Sequence, residues 1–108
     1  MTTDFHPIRI GPFTYEVEES PDLHDGADRL YGEVDHEGLV ITLHGGSALA
    51  RMRVSMLHEI IHAIANAHGV TIEEQAVVVL AGELLQVLTD NLWLPGWLLR
   101  EGIHVERA

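Results

Sequence analysis

One stretch, from residue 47 to residue 67, constrains the fold more than any other because it has the apolar periodicity of a single long helix. Advancing each residue by about 100° around the helix axis places His58, Glu59 and His62 on one side. The rest of the surface is mainly apolar, so most of this helix is expected to be buried. Its polar stripe must then face a partner, a cavity or a metal ion, since an imidazole or carboxylate buried without a partner is strongly unfavourable.

Capping residues predict where this helix ends and where a second one begins. Ser47 is a suitable N-cap, and Gly69 is placed to end the first helix. The segment "TIEE" resembles a capping box, with Thr71 as the cap and Glu74 at the third helical position. The second helix is predicted to run to about Asn91. So short a connection makes the two helices a tight hairpin.

The first half of the chain is predicted to form strands, and its end a short helix. Apolar or alternating runs occur at four places: "IRI" at 8–10, "FTYEVEE" at 13–19, "LYGEVD" at 30–35 and "GLVITL" at 38–43. Pro95 interrupts the helical pattern, and a short terminal helix is expected there, with Trp93 and Trp97 packing against the protein. These elements predict one α+β domain over residues 1–108, with a small antiparallel sheet of three or four strands packed on a two-helix hairpin.

Charge and composition exclude several classes of function. Six Lys and Arg against 17 Asp and Glu give a formal net charge of -11, the wrong sign for binding phosphate backbones, so no nucleic-acid partner is expected. The absence of cysteine leaves imidazole and carboxylate to hold any metal. The most apolar segment is shorter than the roughly 20 residues that a membrane helix needs, and the N-terminus lacks the pattern of a signal peptide. We therefore expect a cytoplasmic protein with no membrane partner.

The spacing of His58 and His62 favours a zinc site. Two imidazoles one helical turn apart can direct both Nε2 atoms at one Zn2+ ion roughly 2.0–2.1 Å away. Glu59 would then lie beside the water that the ion activates, without being a ligand itself. A carboxylate base next to such a water is what hydrolysis of a peptide bond requires, so Glu59 is the candidate general base.

Three residues compete to be the third zinc ligand. Glu74 is the leading candidate because it falls among apolar residues on the inner face of the second helix, at about the height of His62. Glu73 points partly inward and is a rival. His68 completes the spacing H-E-x-x-H-x-x-x-x-x-H, which is similar to the metzincin signature. It falls on the opposite face of the first helix, however, and Ala65 stands where that family has a glycine.

Three segments, together with the C-terminal tail, resemble a known family: "LYGEVDHEGLVITLHGG", "MLHEIIHAI" and "EEQAVVVLAGELLQVLTDN". They are similar to small phage-encoded zinc metallopeptidase-like proteins related to the ImmA/IrrE metallopeptidases and the minimal gluzincins, over roughly residues 8 to 100. The resemblance implies a zincin-like minimal core, in which His58, His62 and a downstream glutamate hold zinc. It also implies that Glu59 is the general base.

These observations predict a zinc-dependent metallopeptidase that acts on a peptide or protein substrate. One alternative is a catalytically silent, zinc-stabilised interaction module of phage origin, because so small a chain has few residues to form the sides of a substrate cleft. Another is a packing domain without metal, whose histidines are ordinary. The residue that would stabilise the oxyanion is left open among His44, Tyr31 and His104. The sequence assigns neither a substrate preference nor an oligomeric state.

Overall fold

The computed structural model describes residues 5–25, 28–29 and 31–100. Along these ranges the elements are β1 (Ile8–Ile10), β2 (Phe13–Ser20), β3 (His24–Asp25), β4 (Asp28–Arg29), β5 (Gly32–Asp35), β6 (Val40–His44), α1 (Leu49–Ala67), α2 (Glu74–Asp90) and α3 (Trp93–Leu98). None of the helices in these ranges has both the length and the apolar character needed to cross a membrane. His104, one of the oxyanion candidates, lies outside the described residues.

Four strands form one sheet in the order β1-β2-β6-β5, and β3 pairs with β4. The hairpins β1–β2 and β5–β6 are antiparallel, whereas β2 and β6 are parallel, with Val17 opposite Ile41. The α+β class and the small sheet with a helix hairpin are confirmed. The sheet is mixed, however, and not antiparallel throughout as the strand pattern predicted.

The parallel pairing goes together with a central position for β6. Ile41 and Leu43 of this strand are almost fully buried, and a central position between β2 and β5 covers both edges of the strand. Since β5 occupies the edge and runs antiparallel to β6, the chain returns through β6 in the direction of β2. The turn between β5 and β6 is closed by Asp35, whose Oδ1 accepts hydrogen bonds of 3.0 Å from the backbone N–H groups of Glu37 and Gly38.

The end of α1 agrees with the predicted role of Gly69. This residue has a φ of 64°, and its N–H donates to the carbonyl oxygen of Asn66 over 3.2 Å. The N–H of Val70 donates to the carbonyl oxygen of Ala65 over 2.9 Å. The two bonds form a Schellman motif, which satisfies the last carbonyl groups of the helix and turns the chain toward α2.

Both long helices begin two or more residues after the predicted caps. Ala48 is the N-cap of α1 and Glu73 is that of α2, and neither makes a side-chain capping hydrogen bond. The roles predicted for Ser47 and Thr71 are therefore wrong, and Glu74 is the first residue of its helix, not the third. The N–H of Ser47 donates a hydrogen bond to the carbonyl oxygen of His44. This bond holds Ser47 in the turn that follows β6, so the residue does not cap the helix.

Helix α1 is the central element of the fold. It contacts β1, β5 and β6 of the sheet and also α2. Tyr15, Ile41 and Met52 belong to the core that α1 and the sheet share, while Val77 and Ala81 are the buried residues of α2. Any side chain between α1 and α2 is therefore positioned by the same helix that packs on the sheet.

The aromatic residues of α3 do not pack as predicted. Trp93 is 67% exposed and Trp97 is 52% exposed. Helix α3 has no buried residue. Its tryptophans contribute apolar surface instead of core.

Replacing Gly69 by Ala should destabilise the fold by roughly 1 kcal/mol, because Ala disfavours the left-handed φ that the Schellman motif requires. Gly82→Ala is the matched control. Gly82 lies inside α2 with open space where its Cβ would be, so this change should stabilise the protein by roughly 0.5–1 kcal/mol. Urea unfolding followed by circular dichroism measures both free energies. Equal effects of the two substitutions would contradict the role assigned to Gly69.

Candidate metal centre

His58 and His62 lie one turn apart on α1 and point to the same place. Their Nε2 atoms are 3.2 Å apart, and their ring centroids are separated by 4.8 Å. The two side chains are 20% and 27% exposed. Both rings are therefore held mostly within the protein while their ends remain accessible to solvent.

Glu74, the first residue of α2, completes this cluster. Its Oε1 lies 2.7 Å from His58 Nε2, and its Oε2 lies 2.8 Å from His62 Nε2. The hairpin turn at Gly69 brings the first turn of α2 alongside His62, as the helix heights predicted. In the described part of the chain, His58, His62 and Glu74 form a group that could hold a metal ion, with their ligand atoms within 4.8 Å of one another.

The spacing of the donor atoms fits a small divalent ion. Tetrahedral ligands roughly 2.0–2.1 Å from an ion are about 3.3–3.4 Å from each other. The three closest separations here are 2.7, 2.8 and 3.2 Å, so small outward movements of the side chains make room for an ion. Without a cation, two imidazoles that both donate from Nε2 to the carboxylate would hold their N–H groups against each other.

The two rival ligands lie away from the cluster. Glu73 is the exposed N-cap of α2, and His68 is the exposed C-cap of α1. The backbone N–H of His68 donates to the carbonyl oxygens of Ile64 and Ala65, which extends α1 far enough to turn this residue off the polar stripe. Of the three candidates, the structure brings Glu74 to the histidines.

Glu59 is buried next to the cluster and is 7% exposed. Burial raises the pKa of its carboxyl from 4.5 to about 7, and the negative charges of Glu74 and Glu33 contribute to the increase. In the metal-free protein at neutral pH this carboxyl is thus divided between its protonated and ionised forms. Such a group can both accept and release a proton under ordinary conditions.

A cavity of about 320 Å³ opens beside the cluster. His58, Glu59 and Glu74 line it together with Tyr31 and Arg51. The cavity therefore brings together two of the possible metal ligands, the buried carboxyl of Glu59, the ring of Tyr31 and the guanidinium group of Arg51. A ligand in this space can contact all of them at once.

Gly32 of β5 allows the strand to approach α1 at the buried carboxyl. A Cβ at this position would lie 3.3 Å from Glu59 Oε2 and 3.4 Å from the Cβ of Ser55. A larger residue would displace the Glu59 side chain. Sequence reasoning missed this residue because nothing in the local pattern "LYGEVD" tells which position of the strand faces α1.

Two of the oxyanion candidates fall within the described residues, and they differ in position. His44 is buried at the end of β6, and its Nδ1 accepts a 3.1 Å hydrogen bond from the N–H of Gly46. It does not line the cavity. Tyr31 does line the cavity and is 41% exposed. Tyr31 is therefore the candidate that lies at the site.

Comparison with protein-family models, with curated proteins and with solved structures gives no significant match. The likeness to the ImmA/IrrE metallopeptidases and the minimal gluzincins stays a prediction from sequence motifs.

The raised pKa of Glu59 predicts how the metal-free protein responds to pH. A carboxyl that is harder to ionise in the folded state stabilises the fold fully below pH 4.5, and this contribution is lost as pH rises through about 7. In a strong chelator, wild type should therefore lose more stability between pH 5 and pH 8 than Glu59→Gln, by roughly 1–3 kcal/mol. Urea unfolding at the two pH values measures the difference. Parallel losses in the two proteins would show that Glu59 ionises normally.

Proposed function

We propose that this chain is a zinc-dependent metallopeptidase. The observation that carries the proposal is the convergence of His58 Nε2, His62 Nε2 and the Glu74 carboxylate on one point at the edge of an open cavity. Two imidazoles and one carboxylate, with a fourth position left for water, are a ligand set of zinc in hydrolytic enzymes. The H-E-x-x-H spacing on α1 and its resemblance to small zinc metallopeptidases support the choice of zinc.

Glu59 is the proposed general base. It is next in sequence to a ligand, lines the same cavity and does not belong to the metal-binding group. When bound, zinc would supply Lewis-acid chemistry that activates water and polarises the scissile carbonyl. A carboxylate oxygen of Glu59 would accept a proton from the attacking water and pass it to the amide nitrogen as the C–N bond breaks.

Tyr31 is the proposed partner of the carbonyl oxygen of the substrate. Its side chain lines the cavity and is partly exposed, so a bound peptide can reach it. A phenolic hydroxyl can donate a hydrogen bond to the negative charge that develops on that oxygen. In this arrangement α1 and α2 hold the ion, and the segment before β5 supplies the donor.

One observation favours a second function, that of a zinc-stabilised interaction module. The α2 and α3 helices expose large apolar side chains, among them Leu80, Leu84, Trp93 and Leu98. Exposed large apolar side chains are enriched at sites that contact another protein. In such a module zinc would fix α2 against α1, and Glu59 would perform no reaction.

Glu74→Gln should weaken zinc binding at least tenfold, because a neutral amide replaces the carboxylate that contacts both histidines. Glu73→Gln is the matched control, since it removes the same charge from the adjacent, exposed position. It should leave the zinc affinity within about twofold of wild type, as expected for an exposed charge that is largely screened. Competition with a chromophoric chelator measures both affinities. Equal losses in the two variants would remove Glu74 from the ligand set.

Glu59→Gln separates the peptidase from the interaction module. The variant should retain zinc and remain folded, yet hydrolyse peptides ~100-fold more slowly or worse, because it lacks the proton acceptor. Glu83→Gln is the control: it removes an exposed carboxylate of α2 that does not line the cavity, and it should keep activity within a few-fold. Cleavage of a proteome-derived peptide library, read by mass spectrometry, measures the rates. Identical cleavage by wild type and Glu59→Gln, with zinc bound in both, would favour the module.

A further inference from the structure

The cavity beside His58, His62 and Glu74 is lined by a cationic side chain, that of Arg51, which has no role in the proposed hydrolysis. The guanidinium carbon of Arg51 lies 4.3 Å from the centroid of the Tyr31 ring. Both residues line the cavity that also reaches His58 and Glu74. Stacking on the ring limits the orientations of the guanidinium group, and leaves its N–H donors at the edge available for a ligand.

Arg51 lies on the same stripe of α1 as the two histidine ligands. It precedes His58 by seven residues and His62 by eleven, which places it within about 20° of both around the helix axis. The step from Arg51 to His58 is two turns, or about 10 Å along the helix. An extended peptide advances roughly 3.3–3.6 Å per residue, so a substrate that runs along α1 would span these two backbone positions with about three residues.

Arg51 also occupies a position that its own helix does not favour. It is the third residue of α1, in a first turn that has no acidic residue and no side-chain cap. A cation there adds to the positive end of the helix dipole, where an anion is preferred. Among the residues that the structure describes, no carboxylate forms an ion pair with Arg51, although the chain has 17 acidic residues.

We propose that Arg51, stacked on Tyr31, binds a carboxylate of the substrate, so that the chain selects acidic peptides. This inference rests on the proposed peptidase function, because it places the scissile bond at His58, His62 and Glu74. The carboxylate is that of an Asp or Glu side chain, or of the peptide C-terminus, about three residues from the bond that is cleaved. Arginine suits this role because its planar group can bind both oxygens of a carboxylate.

The remaining lining of the cavity is compatible with such a peptide. Val54 and Val78 line it, and Val78 is 53% exposed. These side chains offer apolar contact to substrate residues in the same space as Arg51. The expected ligand is therefore a peptide segment with apolar residues and one carboxylate.

Binding of peptide hydroxamates to the zinc-loaded, full-length protein tests the inference without requiring turnover. The probes are hydroxamate-capped tripeptide amides with Glu, Gln or Lys as the third residue, and the Gln peptide with a free C-terminal carboxylate. Isothermal titration calorimetry gives each dissociation constant. Wild type should bind the Glu amide, the Gln free acid or both at least tenfold more tightly than the Gln amide. Which of the two acids is preferred identifies the source of the carboxylate.

Arg51→Gln should abolish the preference for acidic peptides. Arg51→Lys should retain part of it, because lysine keeps the positive charge but lacks the planar guanidinium group. Arg53→Gln is the matched control. It removes an exposed arginine of the same helix that does not line the cavity, and it should leave the preference unchanged. Zinc content and melting temperature are measured for each variant to show that the fold is retained.

The outcomes separate this inference from the proposed function. If wild type binds hydroxamates without preferring acids, or if Arg53→Gln reduces the preference as much as Arg51→Gln, the role of Arg51 is overturned while the zinc site stands. If wild type cleaves library peptides with no enrichment of acidic residues or free C-termini near the cleaved bond, the role of Arg51 is likewise overturned while the zinc site stands. If it neither binds a hydroxamate nor cleaves a peptide, the proposed function and this inference both fail.

Discussion

Contact between Glu74 and the two histidines joins α2 to α1 at the start of the second helix. Helix α2 packs on α1 through its two buried residues, Val77 and Ala81, and this polar contact adds to that packing at its first turn. The same three side chains form the group that could hold a metal. An ion that bound only the docked arrangement would stabilise the docking of α2 by mass action.

The cluster of His58, His62 and Glu74 could be predicted from the sequence because its geometry is local. Helical periodicity places His58 beside His62. Gly69 indicates the turn between the helices, and this turn places Glu74 level with His62 along the axis of α1. The α+β class followed in the same way, from the change between alternating and helical patterns. These features depend on residues close together in the chain, for which periodicity and turn chemistry are sufficient.

Other features depend on contacts between distant segments, and the sequence did not reveal them. The parallel pairing of β2 with β6 joins two strands that are distant in the chain, and no turn signal encodes it. Gly32 matters only because β5 crosses α1 beside Glu59. Arg51 shares the helical stripe of the histidines, and extending that stripe by two turns toward the N-terminus would have included it. Its significance emerges only once Tyr31 is seen beneath its guanidinium group.

The position of Glu74 at the first residue of α2 has a consequence for how related sequences are compared. Val77 is fully buried and fixes the orientation of α2 on α1, and the residue three places before it faces the histidines. An insertion or deletion within this three-residue step would rotate a different side chain into that place, by about 100° per residue. All ligand residues would still be present in an alignment. A gap between Glu74 and Val77 would thus mark loss of the site as surely as a substituted histidine.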